Sequence, residues 1–170
     1  MENTLNTLNR LISGAFNDIS RVEQKAIKDS GLTDVSVNEA HTVDAIGLYV
    51  PKTMSAVAEK LEITMGTLTV AINHLVRKGY VNKIRDEKDR RVYLLSLTEK
   101  GKQLFKVHQR FHLELVKSLI VDLSDYEADM FIEALGSLTS FLTKKYNRGE
   151  WNVKNRNKGC WLLCSWKGRY

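Results

Sequence analysis

Apolar positions recur every three or four residues along most of this chain, and the pattern breaks at a few capped or glycine-marked points. Leu5, Leu8, Ile12, Phe16, Ile19 and Val22, widened by Leu11 and Ala15, predict a helix over 5–28. At about 24 residues it is roughly twice the mean helix length, so a partner beyond its own small core is expected, and a second subunit is the simplest. Ser30-Gly31 ends it. Ser36, with Glu39 three residues on, makes a capping box for a helix over 37–46, which Gly47 terminates. Thr53 caps a short helix over 54–61. Ile63-Thr64-Met65-Gly66 then reads as a turn into a helix over 67–78, stopped by Gly79.

The pattern next shortens to alternation. Residues 80–85 and 92–97 predict two strands, joined by Asp86-Glu87-Lys88-Asp89-Arg90-Arg91. Thr98 caps a helix from 99 to about 121, with Leu104, Val107, Phe111, Leu115, Leu119 and Ile120 as its stripe. Asp122-Leu123 breaks it. Ser124 and Glu127 form a second capping box, opening a helix to about 145 that carries Met130, Phe131, Ala134, Leu135, Leu138, Phe141 and Leu142. The expected fold is mainly α with a small β-hairpin wing: a winged helix-turn-helix with long terminal dimerisation helices. The expected division is an N-terminal dimerisation helix over 1–34 and a DNA-binding unit over 35–101. C-terminal dimerisation helices over 102–146 and a tail over 147–170 complete it.

Composition changes this picture in two places. A hydrophobic fraction of 43% supports a packed core, and no run approaches the roughly 18 apolar residues of a membrane helix. Met1-Glu2-Asn3-Thr4 lacks a basic region followed by an apolar block, so no signal peptide is expected. The two cysteines, Cys160 and Cys164, make no disulfide framework and fit a reducing, cytoplasmic setting. The net charge of +6 is misplaced for a DNA argument. Arg148, Lys154, Arg156, Lys158, Lys167 and Arg169 stand in the tail against Glu150 alone, so the rest of the chain is nearly neutral. DNA binding must therefore be argued from local charge. The tail also holds Trp151, Trp161 and Trp166 without periodicity. It reads either as a basic-aromatic segment for a membrane surface or nucleic-acid backbone, or as a poorly ordered extension. The extension is the expectation, with no membrane partner. Cys160-x-x-x-Cys164 has no second pair to complete a metal site.

On a helical wheel drawn for 67–78 and extended back over the preceding turn, Met65, Leu68, Ile72, Leu75 and Val76 gather on the side expected to face the core. Gly66, Val70, Asn73 and Arg77 lie opposite, with Thr67, Thr69 and His74 at the edges. Short residues let a helix sink into a major groove. Threonine hydroxyls and an asparagine amide can bond base edges, and Val70 can touch a thymine methyl. The wing carries Lys83, Arg85, Lys88, Arg90 and Arg91 among Asp86, Glu87 and Asp89, with Asp89 expected to brace an arginine aimed at a minor groove. The candidate DNA contacts are Thr53, Thr64, Gly66, Thr67, Thr69, Val70, Asn73, Arg77, Lys88, Asp89, Arg90 and Arg91. No Gly-rich phosphate loop and no nucleophile–base arrangement stands out, so no catalytic residue and no enzyme are expected.

The run Asp89-Arg90-Arg91-Val92-Tyr93-Leu94-Leu95-Ser96-Leu97-Thr98-Glu99-Lys100-Gly101 resembles the wing-to-helix signature of MarR-type transcriptional regulators, over about residues 5–146. The resemblance implies a homodimer that represses transcription by binding a double-stranded operator until a ligand or oxidant alters half-site spacing. It implies DNA contact at Thr64, Gly66, Thr67, Asn73, Arg90 and Arg91. Residues 35–47, 64–69 and Arg110-Phe111-His112 are similar to repressors of fatty-acid synthesis genes from streptococci and relatives. That similarity implies long-chain acyl-acyl carrier protein as a corepressor, its acyl chain entering between the helices.

Three of the four histidines form a constellation. His108 and His112 are four apart and share a helix face, as two metal ligands would; His41 lies on the helix before the DNA-binding pair, and Glu23 could supply a carboxylate. With Phe111 these residues form the candidate ligand pocket. A similar arrangement occurs in the zinc-sensing branch of MarR-type regulators, which makes zinc the alternative effector. Histidines on buried helix faces also serve simply as hydrogen-bonded core residues, and on that reading no cofactor is expected. A helical interaction module that does not bind DNA is the further alternative.

Overall fold

The computed structural model describes residues 2–147. In chain order the elements are α1 (Glu2–Asp29), α2 (Val37–Ile46), β1 (Lys52–Thr53), α3 (Met54–Lys60), α4 (Met65–Arg77), β2 (Val81–Arg85), β3 (Tyr93–Leu97), α5 (Glu99–Ile120) and α6 (Asp125–Asn147). The strands make one antiparallel sheet in the order β1-β3-β2, with Lys52 opposite Leu95 and Arg85 opposite Tyr93. This is the expected mainly helical winged helix-turn-helix. The expectation for the tail falls on residues outside the described ones, and no helix among those described is long and apolar enough to cross a membrane.

Local chemistry sets most boundaries. Ser36 Oγ accepts from the Glu39 N–H, and the Glu39 carboxylate accepts from the Ser36 N–H at 2.9 Å, the reciprocal box expected at the start of α2. Ser124 and Glu127 repeat it at α6. Two expectations need correction. α4 begins at Met65, two residues earlier than the turn-like Ile63-Thr64-Met65-Gly66 suggested, because Thr64 is its N-cap and accepts from the Thr67 N–H at 3.2 Å. Strand β1 was not expected; two residues are too few to show alternation.

The chain forms two compact units, one ending at Phe111 and the other beginning at His112. The first holds a core of Ile27, Val43, Ile46, Val57, Leu68, Ile72, Leu75, Tyr80, Leu95 and Leu104, all buried. Of α1's 28 residues only Glu23 and Ile27 are buried, while Leu5, Leu8, Leu11 and Ile12 are exposed. In the second unit Leu119, Ile120, Met130, Ile132, Leu135 and Phe141 are exposed as well. Apolar stripes of this length left in water by one chain are what a symmetric partner would cover.

The root of the wing is locked to the start of α5. Thr98 Oγ1 donates towards the Gly79 and Tyr80 carbonyls at 2.6 and 3.1 Å, the Thr98 N–H donates to Tyr80 at 3.1 Å, and Gly101 donates back to Thr98 Oγ1 at 3.1 Å. A Cβ built on Gly101 would lie 2.1 Å from the Tyr80 carbonyl oxygen. Backbone crowds it, so a side chain cannot be accommodated by a rotamer change. At the C-cap of α4, just before this lock, Lys78 Nζ sits 2.7 and 2.8 Å from the two oxygens of Glu39, tying the end of α4 to α2. Burial pushes the Glu39 carboxyl up, but Lys78 and the Ser36 bonds outweigh it and hold the group below its ordinary range.

Two outcomes follow. Gly101→Ala should lose at least about 2–3 kcal/mol of stability in chemical denaturation, or fail to fold, from overpacking against backbone. Glu39→Gln should lose about 1–2 kcal/mol at neutral pH. Because the folded group titrates low, its contribution is present above pH 4.5 and fades as pH falls through the folded value, so the two denaturation curves should converge in acid.

Candidate functional site

The outward face of α4 carries Gly66, Thr67, Val70, Asn73 and Arg77, all exposed, with Thr69 half-buried. Leu68, Ile72 and Leu75 anchor the opposite face. Met65 and Val76, expected in the core, are instead 47% and 39% exposed. Met65 sits in the first turn, beyond the end of the core, and Val76 lies at the edge of the buried stripe. The exposed surface of α4 is therefore more apolar at both ends than the wheel implied.

The threonines have structural work of their own. Thr53 caps α3, accepting from the Ala56 N–H at 3.2 Å, and its hydroxyl lies 3.0 Å from that of Ser55. Thr64 Oγ1 caps α4 and lies 2.9 Å from Thr67 Oγ1. Thr69 donates to the Met65 carbonyl at 2.7 Å, which leaves its methyl and lone pairs for a partner. Asn73 and Arg77 are exposed and point no comparable bond inward.

At the wing, Lys88, Asp89, Arg90 and Arg91 are all exposed. Asp89 was expected to brace a guanidinium. It accepts instead from the backbone N–H of Arg91 at 2.9 Å, while Asp86 accepts from that of Lys88 at 2.7 Å. The acids shape the turn and leave the cations to point away. What the sequence did not show is the partner that two of the wing's cations share just below its tip, where Arg85 lies opposite Tyr93. Lys83 Nζ lies 4.7 Å and the Arg85 guanidinium 5.6 Å from the centre of the Tyr93 ring. Arg85, donating to the phenol oxygen at 3.2 Å, holds the Tyr93 hydroxyl below its usual range.

Away from α4 and the wing lies the Glu/His cluster, on α1, α2 and α5. Glu23 from α1 and His108 from α5 are fully buried, and His108 Nδ1 is 2.5 Å from Glu23 Oε1. His41 from α2 is 7% exposed; its Nε2 lies 3.8 Å from Glu23 Oε2, and its ring meets that of His108 edge-on at 5.1 Å. His112 is half-buried one turn further along α5, and Phe111 beside it is half-buried too. One donor atom from each of Glu23, His41, His108 and His112 lies within 4.8 Å of the others. The expectation of no cofactor is thereby corrected. Three imidazoles and a carboxylate converging at one point form a donor set of the composition zinc takes, and folding brings Glu23 and His41 to the His108–His112 face from distant positions. The same walls are poor lining for an acyl chain, since a buried carboxylate and imidazoles gain nothing from hydrocarbon.

Three further residues escaped the sequence. Asp44 of α2 is 1% exposed and is met by Gln109 of α5 and Lys60 of α3. Its only signal was a charge set between apolar Val43 and Ala45-Ile46.

Known proteins fit this geometry. The family described as a winged helix DNA-binding domain matches residues 38–101. The HTH-type transcriptional regulator YfiV of Bacillus subtilis is 26% identical over 141 residues, 78% of this chain and 88% of that protein. The crystal structure of Streptococcus pneumoniae FabT in complex with DNA is matched at 36% identity and a TM-score of 0.76, over 82% of this chain and 98% of that one. A mutant of MarR from E. coli complexed with operator DNA shares the fold at 22% identity and a TM-score of 0.60, over 81% and 97%. By its fold and by this relationship the chain belongs to the MarR family of DNA-binding transcriptional repressors.

Proposed function

We propose that this repressor is governed by a divalent metal, zinc by the chemistry of the donors, held by Glu23, His41, His108 and His112. The observation that carries the reading is the approach of those four donors to within 4.8 Å of one another. Zinc would supply a positive charge that offsets the buried Glu23 carboxylate, and it suits imidazole and carboxylate ligands together. Donors around a tetrahedral zinc stand about 3.4 Å apart, so binding would draw these four together and pull on α1, α2 and α5, which carry them. We assign operator contact to Gly66, Thr67, Val70, Asn73 and Arg77 on α4 and to Lys88, Arg90 and Arg91 on the wing. Thr53, Thr64 and Asp89 act mainly by shaping the backbone that presents them.

A second reading has one observation in its favour, the 36% identity to FabT. On it the target genes are those of fatty-acid synthesis, the corepressor is long-chain acyl-acyl carrier protein, and Phe111 lines the path of the acyl chain.

One experiment separates the two. Operator affinity is titrated on the protein's own promoter region with zinc, with a chelator, and with acyl-acyl carrier proteins of several chain lengths. The metal reading expects an affinity change of at least about tenfold between zinc and chelator. It expects about one tightly held zinc per subunit, lost in a His108→Ala, His112→Ala double variant. No bound zinc under saturating metal sinks it, and a response to acyl chains alone supports the second reading. The operator contacts have their own check: Asn73→Ala and Arg91→Ala should each weaken specific binding by about 1–3 kcal/mol. Arg91→Ala should also lower the slope of log affinity against log salt by about one. Unchanged affinity in both would refute that assignment.

A further inference from the structure

Asp44 is a buried acid that neither the operator face nor the Glu/His cluster uses. Its Oδ1 accepts from Gln109 Nε2 at 2.5 Å. Its Oδ2 lies 3.4 Å from Lys60 Nζ, which also donates to the Asp44 backbone carbonyl at 3.3 Å. One residue on, Lys52 Nζ donates to the Ala45 carbonyl at 3.2 Å, so two lysines grip the negative end of α2. Three helices thus meet on one carboxylate: α2 itself, the last turn of α3, and α5.

Position along the helices gives this meeting point its meaning. Asp44 is three residues from His41 and so shares its side of α2; Gln109 follows His108 directly on α5. Helices move as rods, so a change in the spacing of His41 and His108 must also strain or relax the Gln109–Asp44 bond. Lys60 belongs to α3, the first helix of the helix-turn-helix pair, which packs against both α2 and α4.

We propose that Gln109, Asp44 and Lys60 are positioning residues that pass the state of the Glu/His site to the helix-turn-helix pair. The proposal rests on the reading of that site as the effector site. A buried carboxylate needs partners for stability alone. A purely structural role predicts that removing one lowers stability and leaves the effector response intact, whereas a transmitting role predicts that the response itself shrinks.

The test uses the full chain with zinc as the probe. Gln109→Met keeps the length of the side chain and removes the donor; Lys60→Met removes the ammonium and leaves an unbranched apolar stem one atom shorter, at a partly exposed position, and guards against a misfolded first variant. Zinc affinity is measured by chelator competition, and operator affinity with saturating zinc and with chelator. Both variants should bind zinc, and bind operator in chelator, within about threefold of wild type. Their ratio of operator affinities with and without zinc should fall towards one, by at least about fivefold relative to wild type. A wild-type ratio retained in both variants overturns the relay while leaving the effector site standing. A ratio of one in the wild type itself overturns the effector reading, and the relay with it.

Discussion

Glu23 is the point on which much of this structure hangs. A carboxylate with no exposure to water costs several kcal/mol unless matched by charge or hydrogen bonds, and here His108 and His41 stand against its two oxygens. α1 gives the core little else: Ile27 is its one buried apolar side chain. Gln24 next door donates to the Val35 carbonyl at 3.0 Å and accepts from the Val37 N–H at 3.1 Å, fixing the entry into α2. A long helix is thus fastened near its C-terminal end, chiefly by polar bonds, and most of the rest of its length is exposed in the single chain. The same fastening joins α1, α2 and α5 at one buried point, which makes it suited to sensing.

Helix-scale features were legible in the sequence because their causes are local. The capping boxes at Ser36 and Ser124, the stop at Gly79 and the alternation of the wing each depend on residues a few positions apart. The start of α4 was misread because Gly66 suggested a turn, whereas glycine in a first helical turn is tolerated once Thr64 caps it. Met65 and Val76 were placed in the core by angle alone; how far a core extends along a helix depends on its neighbours. The Glu/His constellation was nameable from spacing, but its depth was not: Glu23 and His108 are 85 residues apart. Asp44 shows the limit more sharply, since its partners lie 16 and 65 residues away and nothing in one sequence pairs them.

α2 sits in the middle of these connections. Its N-terminal Glu39 holds Lys78 at the end of α4, its centre presents His41, and its C-terminal Asp44 holds Lys60 of α3. Ten residues therefore touch the Glu/His cluster and both helices of the helix-turn-helix pair. Its low amphipathicity follows: seven of its ten residues are buried, so it has almost no solvent face and little freedom to move independently of what it touches.

The lock between Gly101 and Tyr80 has a mechanical consequence. With α5 pressed onto the backbone at the wing's root, the hairpin and the first turns of that helix behave as one rigid crank. Strands of this length and their turn make an arm of about 20 Å, so a 5° rotation at the root sweeps the arginine-bearing tip through nearly 2 Å. That exceeds the tolerance of a hydrogen bond, so if the proposed metal shifts α5 beside His108, the lock would gear the shift up to the scale of a groove contact.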